Sequence, residues 1–449
     1  MSHENESLVS KTENKVVGLR EAEQVRALCI VWVLQGVVSF RSVPRLLRAV
    51  NDILGSICSW VPHFTSVINW TQRIGLGLLG AVAPCSSPWI ALMDMSIDIG
   101  TKKALVVLRV KMEALALKKR ALDLSDCECI GVHILEHTCG EHIAESLETI
   151  FAQSGTPAAI LKDQGSDLAR GVKLWREAHE EAEKVEVIDD IGHALANGLK
   201  AQFEKSSAFQ GFTKLLSAGR MRLQQTQWAH LMPPKLRSKG RFQSIGKSAQ
   251  WGIRIATLFG LNNGAAKNSA LAAARKAFPG LLRYKAFIYR FAKAAEVMHR
   301  VLEILKHSGL NSATYAKCKE HALSLPATCK LRKRLLDWLE RHLQVHTKLG
   351  GSISLQVSTD ILESLFGKFK RLMERSPISD MNRMALVIPA LCGPTLNEKR
   401  IKEIFAATRH ADIATWEQNH IRYTLCKQRR AFFAQNSTHW YQKPGIYDG

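Results

Sequence analysis

Three acidic residues stand where a phosphoryl-transfer centre would need them. The apolar run Trp89-Ile90-Ala91-Leu92-Met93 ends in Asp94. A second apolar segment, Ala158-Ala159-Ile160-Leu161-Lys162, leads to Asp163 in an Asp-Gln-Gly-Ser sequence. Much later, Glu363 lies on the amphipathic stretch from Asp360 to Lys370. Two carboxylates at strand ends and one on a helix are hard oxygen donors. They can hold two Mg²⁺ or Mn²⁺ ions, which would support the attacking and leaving oxygens of an in-line displacement at phosphorus. Each acid also has a plainer reading. A charge at the end of an apolar strand is costly unless paired, yet Asp94 could cap a turn, and Asp98 competes with it. Asp163 precedes Gly165, which lets backbone approach a metal or phosphate, but Asp163 also suits an ordinary strand-to-helix turn with Asp167 as N-cap. Asp360-x-x-Glu363 fits a capping box, which would leave Glu363 tying down the helix start.

Other chemistry-bearing residues cluster around these. Gly367 and Lys370 fall four and seven residues after Glu363, so the three share one helix face opposite Leu362, Leu365, Phe366 and Phe369. A mid-helix glycine costs about 1 kcal/mol against alanine, which asks for a reason such as close approach. Cys127, Cys129, His133, His137, Cys139 and His142 crowd together, but their spacing matches no common zinc pattern. Trp228, Trp251 and Trp338 suit core packing first and base stacking second.

The elements that must position the acids are legible as alternations. Trp89–Ser96 and Ala104–Val110, joined by a polar stretch, form a β-hairpin; Cys129–Leu135 is a third strand. A helix over 141–153 would turn Ile143, Leu147, Ile150 and Phe151 inward. The Asp163 strand, a helix over 167–184, a strand over 185–190 and a helix through Lys200 follow, which is the alternation of an α/β sheet. Before them, residues 1–16 are a polar, disordered tail, and 17–83 hold three helices, over 20–35, 42–54 and from about Thr65. That is consistent with a helix-turn-helix module whose last helix offers Ser66, Asn69, Gln72 and Arg73 to DNA, or with a bundle that packs on the core. The expected division is 84–200 for the first part of the core, 201–355 for a helical insertion, 356–375 for the helix of the third acid, and 376–449 for a basic helical segment.

Charge narrows the partner. The 449 residues carry 62 Lys and Arg against 40 Asp and Glu, a formal charge of +22, which favours a polyanion. The bases lie in separate clusters, Arg41–Arg48, Lys235–Arg241 (with Arg237, Lys239 and Arg241), Lys330–Arg334, Lys368–Arg371 and Lys427–Arg430. Each alone suits a solvated face; together they suggest a nucleic-acid track, against the alternative of an anionic membrane or ribosome surface. Ten scattered cysteines suit a reduced compartment. With a polar N-terminus and no spanning-length apolar run, the expected location is cytoplasmic and nucleoid-associated, or nuclear in a eukaryote, with no membrane partner.

The order and texture of the three acid-bearing segments resemble the ribonuclease-H-like core shared by DDE transposases and retroviral-type integrases. The resemblance covers about half the chain. It implies a mixed sheet flanked by helices, with Asp94, Asp163 and Glu363 as metal ligands for two Mg²⁺ or Mn²⁺ ions and Lys370 at a basic DNA-contacting position. Asp190-Ile191-Gly192-His193 is similar to a signature that follows the second acid in several cut-and-paste superfamilies. It implies catalytic roles for Asp190 and His193, with Asp189 as the rival accessory carboxylate. Two hundred residues separate Asp163 from Glu363, which resembles the long helical insertion of hAT-type transposases. The implied activity is that of an insertion-sequence transposase: cleavage at element ends and strand transfer into target duplex, by a homodimer or larger synaptic assembly. The runner-up is a structure-specific nuclease on the same core, and the third reading is a domesticated, non-catalytic DNA-binding protein.

Overall fold

The computed structural model describes residues 22–55, 58–99, 102–116, 121–236, 242, 245–261, 269–374, 382–421 and 424–436. Arg237, Lys239 and Arg241 therefore lie outside the described residues. Its centre is a five-stranded mixed sheet of order β3-β2-β1-β4-β5. β1 (Trp89–Ile99), β2 (Lys102–Lys111) and β3 (Glu128–Leu135) form an antiparallel meander; β4 (Ala159–Lys162) and β5 (Glu186–Asp189) continue it in parallel with β1. The hairpin runs further than its apolar runs suggest. Ile99 pairs with Lys102, which places Asp98 inside β1 and not in the turn, and Asp94, opposite Val106, in mid-strand and not at the strand end the apolar run suggests. The side chain of Asp98 lies outside the described residues.

Strand periodicity makes the sheet two-faced. Ile90, Leu92, Val106, Leu108, Leu161 and Ile188 bury toward one core, while Trp89, Ala91, Met93, Leu105, Val107 and Ile160 bury toward another. The second core is closed by the helices Gly140–Ser154 and Ser166–Glu177, whose Ile143, Leu147, Ile150, Phe151, Val172 and Trp175 are buried. Asp167 is not the cap of the latter helix: Gly165 occupies the N-cap and Asp167 the first turn.

The first core is larger because most of the helical chain contributes to it. The helix Asp360–Glu374 lies against β1 and buries Leu362, Leu365, Phe366 and Phe369. Helix Lys330–Lys348 packs on helix Ile191–Phe203 and reaches β5. The described long elements of residues 201–355 are helices, including Ser207–Leu223, Gly246–Leu261 and Lys285–Ser308. A phenylalanine cluster of Phe203, Phe209, Phe287 and Phe291, with ring centroids 5.1–6.3 Å apart, ties the helices Ile191–Phe203, Ser207–Leu223 and Lys285–Ser308 together.

The three N-terminal helices, Ala22–Leu34, Ser42–Leu54 and Phe64–Gly80, belong to the same core. The third packs against the turn Arg383–Leu386, the short helix Val387–Ala390 and the helix Glu398–Ala407. Gly75 allows this approach: a Cβ there would lie 1.5 Å from the Leu386 carbonyl oxygen. No helix among the described residues is long and apolar enough to cross a membrane.

Candidate active site

Register brings the two aspartates together. β1 and β4 run parallel with Met93 opposite Lys162, so Asp94 and Asp163 are the next residues on neighbouring strands. Asp163 lies just beyond β4. Its Oδ1 accepts a hydrogen bond from the Gly165 N–H at 2.9 Å, which folds the chain into the following helix. Lys162, buried beside it, turns its Nζ to Asp189 Oδ1 at 2.9 Å and so locks the ends of β4 and β5. Asp189 is thereby a partner of lysine, with Arg341 3.7 Å from its other oxygen.

Asp94 is half-buried, and its carboxyl is pushed up to about 7. Burial is the main cause, the charge of Asp163 the second, and Glu363 adds to it; His193 and the Met95 N–H act the other way. Glu363 is solvent-accessible at the start of its helix, and its carboxyl is also raised, by desolvation first and then by Asp360. His193 is driven upward as well, to about 9: its hydrogen bond to Asp190 dominates, burial opposes, and the charges of Asp163 and Asp94 contribute. Asp94, Asp163, Glu363 and His193 thus share one electrostatic neighbourhood, three acids and an imidazolium.

Asp190 has a different task from the one its position suggests. It is 2% exposed, and both oxygens are used. Oδ1 accepts from the His193 N–H at 2.7 Å and from His193 Nδ1 at 2.8 Å; Oδ2 accepts from the Thr359 N–H at 2.9 Å. Burial would raise its pKa, but these donors outweigh it and hold the carboxyl below its ordinary value. Backbone bonds continue the seam, Asp190 N–H to Lys162 O and Ile191 N–H to Val357 O. Asp190 therefore pins the segment that launches the Glu363 helix to the ends of β4 and β5, next to Asp163. It is a positioning residue, its oxygens committed to internal donors and not to a metal or a nucleophile.

The Glu363 helix starts at Asp360, so Asp360 sits in its first turn and not at the cap. Its carboxylate pairs instead with Lys306, from the long helix Lys285–Ser308. The capping-box alternative for Glu363 loses its partner. Gly367 and Lys370 share the Glu363 face as expected; Lys370 is exposed, and a Cβ on Gly367 would meet nothing within 4 Å. Packing among the described residues does not explain that glycine.

The helix expected to read DNA turns inward. Gln72 is 1% exposed, with Nε2 on Met384 Sδ at 3.0 Å. Arg73 donates to the carbonyls of Phe405 and Thr408 and stacks 4.2 Å from the Phe405 ring. Both are corrections to the sequence reading: they join the N-terminal helices to the C-terminal ones. Ser66 and Asn69 are half-buried. Trp338 is core, its Nε1 donating to the Asp189 carbonyl at 3.2 Å, while the Asp189 N–H donates to His342 Nε2 at 3.0 Å. Burial pushes His342 down to about 4, which keeps that nitrogen an acceptor. Sequence reasoning missed this strap, and missed Thr359 and Lys306, because each acts across more than fifty residues through contacts no local pattern encodes.

Among the described residues, no three His, Cys, Asp or Glu side chains converge closely enough to hold a metal ion. The cysteine–histidine cluster splits accordingly: Cys127 and Cys129 are buried near Cys392, while His133, His137 and His142 line a cleft with His420. The chemistry of the acids still suits a hard cation. Asp94 is held near 7 by burial and a neighbouring carboxylate, a field that a divalent ion relieves and a proton otherwise must.

No protein-family model matches the chain. No curated protein matches it. Among solved structures the chain is similar to the Drosophila P element transposase strand transfer complex, at 11% identity and a TM-score of 0.44, over 89% of this chain and 100% of that one.

Proposed function

We propose that the protein is a metal-dependent DNA phosphoryl transferase of the DDE transposase type, built on a ribonuclease-H-like core. The observation that carries this reading is the register of β1 and β4, which sets Asp94, in mid-β1, beside Asp163, just past the end of β4, within the electrostatic reach of Glu363. The antiparallel meander extended by two parallel strands supports the core assignment, and the formal charge of +22 supports a polyanionic substrate.

In this reading Asp94, Asp163 and Glu363 would hold Mg²⁺ or Mn²⁺, which when bound supplies charge neutralisation at the attacking and leaving oxygens. The rest is done by the chain. Asp94 and Asp163 are fixed by the sheet, whereas Glu363 comes from a helix pinned through Thr359 and Asp190. Glu363 would complete the acid set from that helix. His193, protonated at neutral pH, places a positive charge beside the acids and stabilises a phosphoryl oxygen there. Lys370 follows on the same helix face and meets the backbone of the bound duplex.

The test is divalent-dependent nicking of supercoiled plasmid. Wild type should cut with Mg²⁺ or Mn²⁺, and Asp94→Asn and Asp163→Asn should each lose at least a hundredfold while still binding DNA. Near-normal cutting by either variant removes that residue from the site.

A further inference from the structure

With Gln72 and Arg73 turned inward, the N-terminal helices need another face if they meet DNA, and one is present. Arg41, Arg45 and Arg48 are exposed and lie along one side of the helix Ser42–Leu54, at the helical spacings of four and three. The opposite side, Val43, Pro44 and Leu47, is buried in the core. Burial on that side fixes the direction of the arginines, and Pro44 in the first turn pre-sets the backbone. Arg41 is further held over the Phe64 ring, 5.2 Å from its centroid. Among the described residues, no carboxylate forms an ion pair with any of the three, although Asp52 is on the same helix. Three guanidinium groups thus stand along roughly 10 Å of helix axis at 1.5 Å per residue. Duplex DNA presents about six phosphates over that length, at one charge per ~1.7 Å.

We infer that the Arg41–Arg45–Arg48 face is a phosphate-contacting surface for duplex DNA, and that helix Ser42–Leu54, not Phe64–Gly80, is the DNA-facing element of the N-terminal helices. Because helix Phe64–Gly80 is packed into the C-terminal helices, DNA held on this face is held rigidly with respect to the sheet. This inference rests on the proposed DNA-processing function and deepens it. Arginine suits the role: the fork matches phosphate bidentately, whereas a stripe that met only solvent would be expected to carry balancing acids.

The experiment is fluorescence anisotropy of a labelled random-sequence duplex with the full chain, repeated over a range of KCl. It compares wild type, the triple variant Arg41→Gln/Arg45→Gln/Arg48→Gln, and the charge-conserving triple Arg→Lys variant. Circular dichroism melting checks that each folds. The glutamine variant should bind at least tenfold more weakly, with the salt slope reduced by about 2.7, at ~0.9 for each phosphate no longer neutralised; the lysine variant should keep the slope. A glutamine variant that folds and binds with the wild-type slope overturns the inference and leaves the proposed function standing. Wild type that fails to bind duplex at low salt overturns the proposed function itself. Exposed Leu46, Ile53 and Leu54 flank the stripe. A change in sedimentation without a change in salt slope would make the face a self-association surface and overturn the inference.

Discussion

Replacing Asp190 by asparagine removes one charge and converts one acceptor into a donor, in a place where every neighbour is a donor. The carboxylate receives three hydrogen bonds, two at Oδ1 and one at Oδ2, all between 2.7 and 2.9 Å. An asparagine satisfies one side and turns its NH₂ against a buried N–H on the other. If the oxygen faces His193, the Thr359 N–H loses its partner. If it faces Thr359, the His193 backbone N–H does. An unsatisfied buried donor costs about 1–3 kcal/mol, and the loss of a charge-assisted bond adds to it. Destabilisation of about 2–4 kcal/mol is expected, concentrated at the seam between the sheet and the Glu363 helix. His193 reports the change directly. Its pKa of about 9 depends first on Asp190, so in the variant it should fall toward the ordinary histidine value of about 6.5. The linkage follows in sign. A raised histidine pKa contributes stability that is complete below the unfolded value and is lost as pH rises through about 9, so the difference between wild type and variant should shrink above pH 9. An NMR titration of His193, with DNA cleavage measured alongside, tests all of this. Cleavage should drop ten- to a hundredfold with duplex binding intact. An unmoved His193 titration, or full cleavage with an unchanged melting temperature, would refute the pin.

The remaining predictions concern other parts of the same arrangement. Asp94 is held near 7 against an ordinary value near 4, so its ionised form is disfavoured in the fold, and the penalty grows as pH rises between those values. Asp94→Asn should therefore raise the metal-free melting temperature at pH 8 by a few degrees, on the order of 1–3 kcal/mol, and leave it unchanged at pH 4; destabilisation at pH 8 would contradict the pairing with Asp163. By the same linkage, Mg²⁺ affinity measured by calorimetry should rise from pH 6 to pH 8 with release of about one proton, and a pH-independent affinity would detach Asp94 from the ion. Gly75→Ala would put a methyl on the Leu386 carbonyl oxygen, so it should destabilise by about 3 kcal/mol or more in a denaturant titration, and a neutral result would mean that the N-terminal helices do not pack there. Lys370→Ala should lower the salt slope of duplex binding by about one unit, and an unchanged slope would place Lys370 away from phosphate.

Much of the sheet that holds the candidate aspartates was legible because it is local. An apolar run marks a strand whatever surrounds it, and Asp163 follows the end of its run as expected; Asp94 does not end its strand, because β1 runs on through the polar residues to Ile99. The alternation from Cys129 to Lys200 matches the observed order of helices and strands for the same reason, except that the helix expected over 167–184 ends at Glu177 and a separate 3-10 turn, Glu180–Lys184, follows. What was not legible is what depends on distant partners. Gln72 and Arg73 look like free polar residues on a helix, and only the packing of 383–408 shows that they are covered. Asp190 looks like one more acid at a strand end; its saturation depends on a backbone N–H at position 359. Asp360 looks like a cap for Glu363, but Lys306, far away in the chain, claims it.

The most direct test of the central claim is strand transfer in Mg²⁺ or Mn²⁺, using a pre-cut duplex from the DNA flanking the gene and a supercoiled target, with Glu363→Gln alongside. Joined products from wild type, absent with Glu363→Gln although the variant still binds the duplex, are the expected result. Cutting without joining would make the protein a nuclease on the same acids. Joining by Glu363→Gln at the wild-type rate would contradict the account, because the acid that the pinned helix delivers would then have no part in the chemistry.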